Sequence, residues 1–383
     1  MDPLQKKSDN AVRKRILSIF GTRPEAIKLA PVIKRLEEQS DLFESRVCVT
    51  GQHRKMLDQV LDIFSITPDH DLNIIKANQD LFDVTTRVLL DLRGILIEEK
   101  PDWVLVQGDT TTTFAASLAA FYERIKVGHI EAGLRTYNKY APFPEEINRR
   151  ITDVLSDLYF APTATSKHNL LREGISEKNI VVSGNTVIDA LIWMAEHLKT
   201  RQIDIHELID LDWSKRMILV TGHRRESFGE DFRIICHALL KIATLYPNIN
   251  IIYPVHLNPN VQAPVTEILG HSPQIYLIPP QDYEHFVWLM TKSYLILTDS
   301  GGIQEEAPAL GKPVLVMRRV TERPEGIEAG SSRLTGIEFN SIVEDVKLLL
   351  EDEQEYQKMA QAKNPYGDGK AARRIVEAIQ NFD

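Results

Sequence analysis

Cysteine is scarce in this chain. Cys48 and Cys236 are the only two among 383 residues, too few and too far apart for a disulfide framework or a cysteine-built zinc site. Neither has an activating partner nearby in sequence, so both read as buried thiols. No stretch approaches the roughly 18–20 apolar residues of a membrane span. The start, Met1 to Lys14, is polar and basic without an apolar segment, which excludes a secretory signal and leaves an expectation of a cytoplasmic protein. Several catalytic signatures are also missing. There is no G-x-G-x-x-G after a strand, Gly311-Lys312 runs into Pro313 instead of completing a P-loop, and neither H-E-x-x-H nor G-x-S-x-G occurs. Tight nicotinamide binding, zinc hydrolysis and serine-hydrolase chemistry are therefore disfavoured, and neither cofactor nor metal is expected. A net charge of -9 argues against nonspecific nucleic-acid binding.

What is present is a repeated alternation of short β-rich runs with amphipathic stretches. Arg15–Phe20, Ser45–Thr50, Trp103–Val106 and Lys126–Ile130 read as strands, separated by helical spacing over Pro24–Glu38, His53–Phe64, Leu81–Glu99 and Thr111–Arg124. A second series follows, with strands at Met217–Val220, Ile249–Tyr253, Ile275–Ile278, Tyr294–Leu297 and Pro313–Met317 and helices such as Phe232–Tyr246. Such alternation predicts parallel sheets covered by helices on both faces. The length calls for two domains. The expected division is a disordered arm over 1–14, a first doubly wound domain over 15–195, a polar linker over 196–215 and a second doubly wound domain over 216–368. The break at Asn364–Lys370 suggests a hinge that lets a last helix, 369–383, pack back on the first domain. Two such domains facing one another leave a central cleft at the carboxyl ends of their strands, where ligands bind in these sheets.

The chemistry-bearing clusters should then lie just after strands, and they do. In Asp299-Ser300-Gly301-Gly302 an apolar strand breaks into a helix whose free N–H groups favour an anion, such as a diphosphate. Glu305 and Glu306, one turn on, suit sugar hydroxyls, although a merely structural Gly-Gly turn remains open. Gly21-Thr22-Arg23-Pro24-Glu25 follows the first strand. Arg23 and Lys28 near a helix start oppose the helix dipole, which an anionic ligand would explain and solvated charges would also allow. Asp109 and Glu131 each follow a strand, an arrangement suited to acid/base work, with N-capping as the plain alternative for Asp109. Glu145 and Glu146 open a later helix. His223, Arg224 and Arg225 form a cationic spot suited to phosphate, and His256 ends another strand. Gln281 and Phe286 could hold a base, and Arg323 is a further phosphate candidate.

Six of these clusters, in the same order, resemble one family. Gly21–Glu25, Gly108–Thr111, His129–Arg135, Pro144–Asn148, Thr221–Glu226 and Asp299–Glu306 look like the bacterial non-hydrolysing UDP-N-acetylglucosamine 2-epimerases. The resemblance runs from about Arg15 to the C-terminus. It implies a GT-B-type fold of two Rossmann-like domains, with 216–368 as the UDP-binding one, and a homodimer. It also implies interconversion of UDP-GlcNAc and UDP-ManNAc for surface polysaccharide synthesis, by loss and re-addition of UDP. By position, Asp109, Glu131 and Glu145 match the carboxylates near the sugar, and His223 the residue near the diphosphate. Arg23, Lys28, Gln281, Phe286, Ser300, Gly301, Gly302, Glu306 and Arg323 match UDP contacts. Gln52, His53, Arg224 and His256 fit a second, activating UDP-GlcNAc site. Gln107 stands where a histidine is common. A GT-B glycosyltransferase, a hydrolysing epimerase and a silent nucleotide-sugar sensor are the competing readings.

Overall fold

The computed structural model describes residues 13–51, 54–75, 79–201 and 203–382. The expected arm over 1–14 therefore lies, for its first twelve residues, outside the described residues. The chain divides into two units, one formed by Met1–Ala190 with Gly369–Asp383, the other by Leu191–Asp368.

The first unit is built on seven strands: β1 (Lys14–Phe20), β2 (Phe43–Val49), β3 (His70–Asp71), β4 (Trp103–Gln107), β5 (Lys126–Ile130), β6 (Leu158–Ala161) and β7 (Ile180–Val182). They pair in parallel in the order β3-β2-β1-β4-β5-β6-β7. The second unit carries β8 (Arg216–Thr221), β9 (Ile249–Pro254), β10 (Ile275–Ile278), β11 (Leu295–Thr298), β12 (Val314–Val316) and β13 (Ser332–Leu334). Their order, again parallel, is β10-β9-β8-β11-β12-β13. Each sheet grows in one direction from its first strand and then restarts on the other side. That reversal is the doubly wound, Rossmann-like topology, and it opens a crevice between β1 and β4 in one unit and β8 and β11 in the other.

The local reasons are plain. Every residue of Trp103–Gln107 is buried, as both faces of a helix-covered parallel strand require. Helix Leu81–Glu99 begins at Asp80, whose carboxylate accepts from Asp83 N, and buries Val84, Val88, Leu92 and Leu96 at four-residue spacing. These pack with Leu17, Val104 and Val127 in the core of the first unit. The second core gathers Ile218, Val220, Leu239, Ile251 and Leu297.

Segment 196–215 includes two single 3-10 turns, Leu198–Thr200 and His206–Leu208. Ile205, Leu208 and Leu211 within it are buried. Helix Ala371–Asn381 belongs to the first unit. The Asp189 carboxylate accepts from the N–H groups of Ala371 and Ala372, at 3.1 and 2.9 Å, satisfying that helix's free donors. The sequence reading does not include β3, β6, β7 and β13, each of four residues or fewer.

Candidate functional site

In the first unit the acidic candidates gather at the carboxyl ends of β4 and β5. Gly108 turns the chain with φ +74°, a conformation glycine adopts without cost. A side chain there would point at Glu131, whose Oε2 lies 3.7 Å from the position of a Cβ. Asp109 follows and its carboxylate pairs with Arg149. It is not the N-cap allowed by the sequence: Thr110 caps helix Thr111–Tyr122, accepting from Thr113 N at 3.1 Å. The cap reading therefore fails by one residue, and Asp109 is left with a different task.

Glu131, the first residue past β5, has φ +71°. A left-handed glutamate costs roughly 1–2 kcal/mol, and such residues concentrate at functional sites. The residue is 9% exposed, and its carboxylate accepts from Lys28 Nζ at 2.6 Å, from Asn185 Nδ2 at 3.2 Å and from Gln107 Nε2. Lys28, expected against a diphosphate, is thus engaged by a carboxylate of its own unit. Of the two adjacent glutamates on helix Glu145–Leu155, Glu146 is fully buried and accepts from Thr136 N and Tyr137 N, both at 3.0 Å. It holds the preceding loop. Glu145 is half-buried, and its side chain makes no hydrogen bond or ion pair among the described residues. Arg23, the first residue of helix Arg23–Glu37, is likewise without an ionic partner among them.

Beneath these turns lies an ionic network that sequence reasoning did not reach. His129 is fully buried, with Nδ1 2.6 Å from Asp153 Oδ1 and Nε2 2.7 Å from the Gly108 carbonyl. Both ring nitrogens thus face oxygen atoms. Arg135 Nη2 donates to Asp153 Oδ2 at 2.6 Å and also reaches Glu173. Burial works to raise the Asp153 carboxyl, but the charges and hydrogen bonds of His129 and Arg135 win and hold it below the usual range.

In the second unit each candidate follows the carboxyl end of a strand. After β8 come His223 and Arg224, whose backbone N–H groups donate to Asp299 Oδ2 at 2.7 and 2.8 Å. Asp299 Oδ1 is 3.4 Å from His223 Nδ1, so one buried carboxylate organises the turn and faces the ring. His256, after β9, stacks on His223 with ring centres 5.5 Å apart. Ser300, Gly301 and Gly302 follow β11. A Cβ on Gly301 would meet Glu322 Oε1 at 3.4 Å and Arg224 Nη2 at 3.6 Å, and one on Gly302 would meet Glu306 Oε1 at 3.3 Å. Gln281, after β10, donates to the Pro279 carbonyl at 2.7 Å, and Phe286 is half-buried on helix Tyr283–Lys292.

Three arginines described here are already partnered. Arg224 donates to Glu322 at 2.8 Å, Arg318 pairs with Glu226 and Glu322, and Arg323 pairs with Glu305. Burial opposes it, yet Arg318, Arg224 and a backbone hydrogen bond bring the Glu322 carboxyl down to about 2. Glu305 is thus an arginine partner in this structure, where the sequence suggested a sugar contact. Gln52 and His53 lie outside the described residues, and Arg224 and His256 are the parts of that expected second site that can be located. Arg149, Gln107 and Asn185 join the acidic cluster without having been singled out as site residues. Arg149 directly follows the Pro144–Asn148 cluster and Gln107 directly precedes Gly108, so their position carried a signal.

Among the described residues no helix is long and apolar enough to cross a membrane, and no group of three or more His, Cys, Asp and Glu could hold a metal ion. Comparison with known proteins is consistent across sequence and structure. The sequence profile of a family described as UDP-N-acetylglucosamine 2-epimerase matches residues 34–380. The UDP-N-acetylglucosamine 2-epimerase of Escherichia coli O157:H7 is 58% identical over 371 residues, covering 96% of this chain and 98% of that protein. A crystal structure of UDP-GlcNAc 2-epimerase from Neisseria meningitidis bound to UDP-GlcNAc has a TM-score of 0.85 and 52% identity, covering 96% of this chain and all of that one. The Methanocaldococcus jannaschii UDP-GlcNAc 2-epimerase in complex with UDP-GlcNAc and UDP has a TM-score of 0.76 and 34% identity, with 96% and 100% covered.

Proposed function

The chain belongs to the UDP-N-acetylglucosamine 2-epimerase family, and from that premise we propose that it interconverts UDP-GlcNAc and UDP-ManNAc without net hydrolysis. The C2 hydrogen of the sugar is not next to a carbonyl, so direct deprotonation is prohibitively slow. Breaking the anomeric C1–O bond solves this. The bond's electron pair leaves with the UDP oxygen, a carboxylate takes the C2 proton, and the C–H electrons form the C1=C2 bond of 2-acetamidoglucal. In the return step UDP oxygen attacks C1 while a proton is delivered to the opposite face of C2. Only electron pairs and protons move, so no redox cofactor is called for.

The roles follow from the environments. His223 and Arg323 take the diphosphate, with Arg23 and Lys28 as further cations, while Ser300, Gly301 and Gly302 leave room for it. Gln281 and Phe286 take the uracil, and Glu306 a ribose hydroxyl. Asp109, Glu131 and Glu145 attend the sugar. Glu131 is pinned by three donors and Asp109 by Arg149, which makes both fixed anions well suited to a developing positive charge at C1. Glu145, without a partner among the described residues, is the carboxylate free to exchange a proton with C2. The observation that carries this reading is the gathering of Asp109 and Glu131 at neighbouring strand ends, Glu131 in a conformation that its backbone disfavours.

A homodimer fits the surface of the first unit. Leu90, Ile97, Phe121, Tyr122 and Val154 are all at least half exposed on the neighbouring helices Leu81–Glu99, Thr111–Tyr122 and Glu145–Leu155, apolar side chains that a second copy would cover. The product would supply polysaccharide synthesis in the cytoplasm. An activating second UDP-GlcNAc would use Arg224 and His256 together with Gln52 and His53.

The test is incubation of the enzyme with UDP-GlcNAc alone. A stable mixture of the two nucleotide sugars is expected. Free ManNAc with stoichiometric UDP would make it a hydrolysing enzyme, and unchanged substrate would reject the proposal.

A further inference from the structure

The two turns that flank the crevice of the first sheet are bolted together by one carboxylate outside the proposed chemistry. Glu25 lies in the first turn of helix Arg23–Glu37 and is 1% exposed. Its Oε2 accepts from Gly21 N at 3.0 Å and Thr22 N at 2.7 Å, the turn after β1. Its Oε1 accepts from Thr110 Oγ1 at 2.6 Å and Thr113 Oγ1 at 3.1 Å, the turn after β4. A capping box accounts for the bond from Thr22 N, and the neighbouring Gly21 N shares the same oxygen. The box does not explain the second pair, which reaches 85 and 88 residues along the chain to another helix start. Glutamine would cap as well as glutamate, whereas a buried carboxylate is costly. Burial indeed pushes the Glu25 carboxyl up, against the pull of its hydrogen bonds.

There is no slack between the two turns. A Cβ on Gly21 would fall 2.1 Å from Thr50 Oγ1 and 2.7 Å from Thr112 Oγ1. Those two hydroxyls are themselves 3.1 Å apart. Thr110 is the residue next to Asp109, and Lys28, one turn beyond Glu25 on the same helix, holds Glu131. One helix start therefore grips both acidic strand ends.

We propose that Glu25 is a positioning residue for epimerisation: through the Thr110 hydroxyl it fixes where the Asp109 carboxylate stands relative to Glu131. This rests on the role given to Asp109 above. Displacing a reacting group by an ångström is worth on the order of 100-fold in rate, so a loosened turn is visible in kcat.

The experiment measures kcat, KM, UDP affinity by calorimetry and melting temperature for wild type, Thr110→Val, Thr110→Ser and Glu25→Gln. Valine keeps the shape of threonine and removes the hydroxyl, serine keeps the hydroxyl, and glutamine keeps the cap on Thr22. The expected result is a fall in kcat of about 10- to 100-fold for Thr110→Val and Glu25→Gln, with KM and UDP affinity within about twofold of wild type and Thr110→Ser close to wild type. Two results overturn the inference: kcat preserved in both variants, or kcat, UDP affinity and melting temperature falling together, as a purely structural role predicts. Absence of epimerisation by the wild type would instead defeat the proposed function itself.

Discussion

Replacing Asp153 by alanine strips His129 and Arg135 of a shared buried partner, and the cost can be worked from the geometry. His129 and Asp153 are fully or almost fully buried, at 0% and 1% exposed, so no water replaces the lost carboxylate. Removing one partner of such a buried pair costs about 3–5 kcal/mol. Arg135 keeps Glu173, which argues for the lower end, about 3 kcal/mol. In a folding unit of about 200 residues each kcal/mol moves the midpoint by about 2–4 °C, so Asp153→Ala should melt about 6–12 °C below wild type in scanning calorimetry. Asp153→Asn is the informative companion. Its amide can donate to a neutral His129 and accept from Arg135, so about 1 kcal/mol and about 2–4 °C are expected. The pH dependence has a definite sign. The folded carboxyl is held below its ordinary value of 3.8, so its stabilisation is present above that value and disappears as pH falls through the depressed one. The gap between wild type and Asp153→Ala should close below about pH 4. A midpoint for Asp153→Ala within about 2 °C of wild type at neutral pH would refute the reasoning, because it would mean the network contributes nothing net.

Three further outcomes are expected. Glu145→Gln should lower kcat by about 100- to 10,000-fold with little change in KM; a loss below threefold would remove Glu145 from proton transfer. Arg23→Ala should weaken UDP binding about tenfold in calorimetry, the scale of one charge-assisted hydrogen bond, and unchanged affinity would place the diphosphate elsewhere. Gly133→Ala should cost at least about 2 kcal/mol in a denaturant titration, since Gly133 has φ +86° and its Cβ would stand 2.3 Å from the Ser166 carbonyl oxygen; wild-type stability would contradict that contact.

How much of this was legible beforehand depends on distance along the chain. Strand Ile275–Ile278 coincides with its apolar run, as a helix-covered parallel strand should, and helix Leu81–Glu99 coincides with its four-residue apolar spacing. β6 is as apolar and as long as Ile275–Ile278, so the same signal stood there without being read, whereas β13 is three residues with a serine and an arginine and offers no apolar run. Candidate site residues could be placed at strand ends because doubly wound sheets put ligands there. Their partners could not. Arg149 meets Asp109 across 40 residues and Asn185 meets Glu131 across 54, and pairings of that kind exist only once the sheet has assembled. The N-cap assignment for Asp109 failed for a related reason. Asp109 and Thr110 both qualify locally, and the bond to Arg149 decides between them.

The most direct test of the central claim, that UDP leaves before C2 inverts, is proton NMR of UDP-GlcNAc with the enzyme in heavy water. Elimination through a glucal predicts that UDP-ManNAc forms with deuterium at C2, taken from solvent through the carboxylates. Epimerisation that retains the original hydrogen at C2 would contradict it.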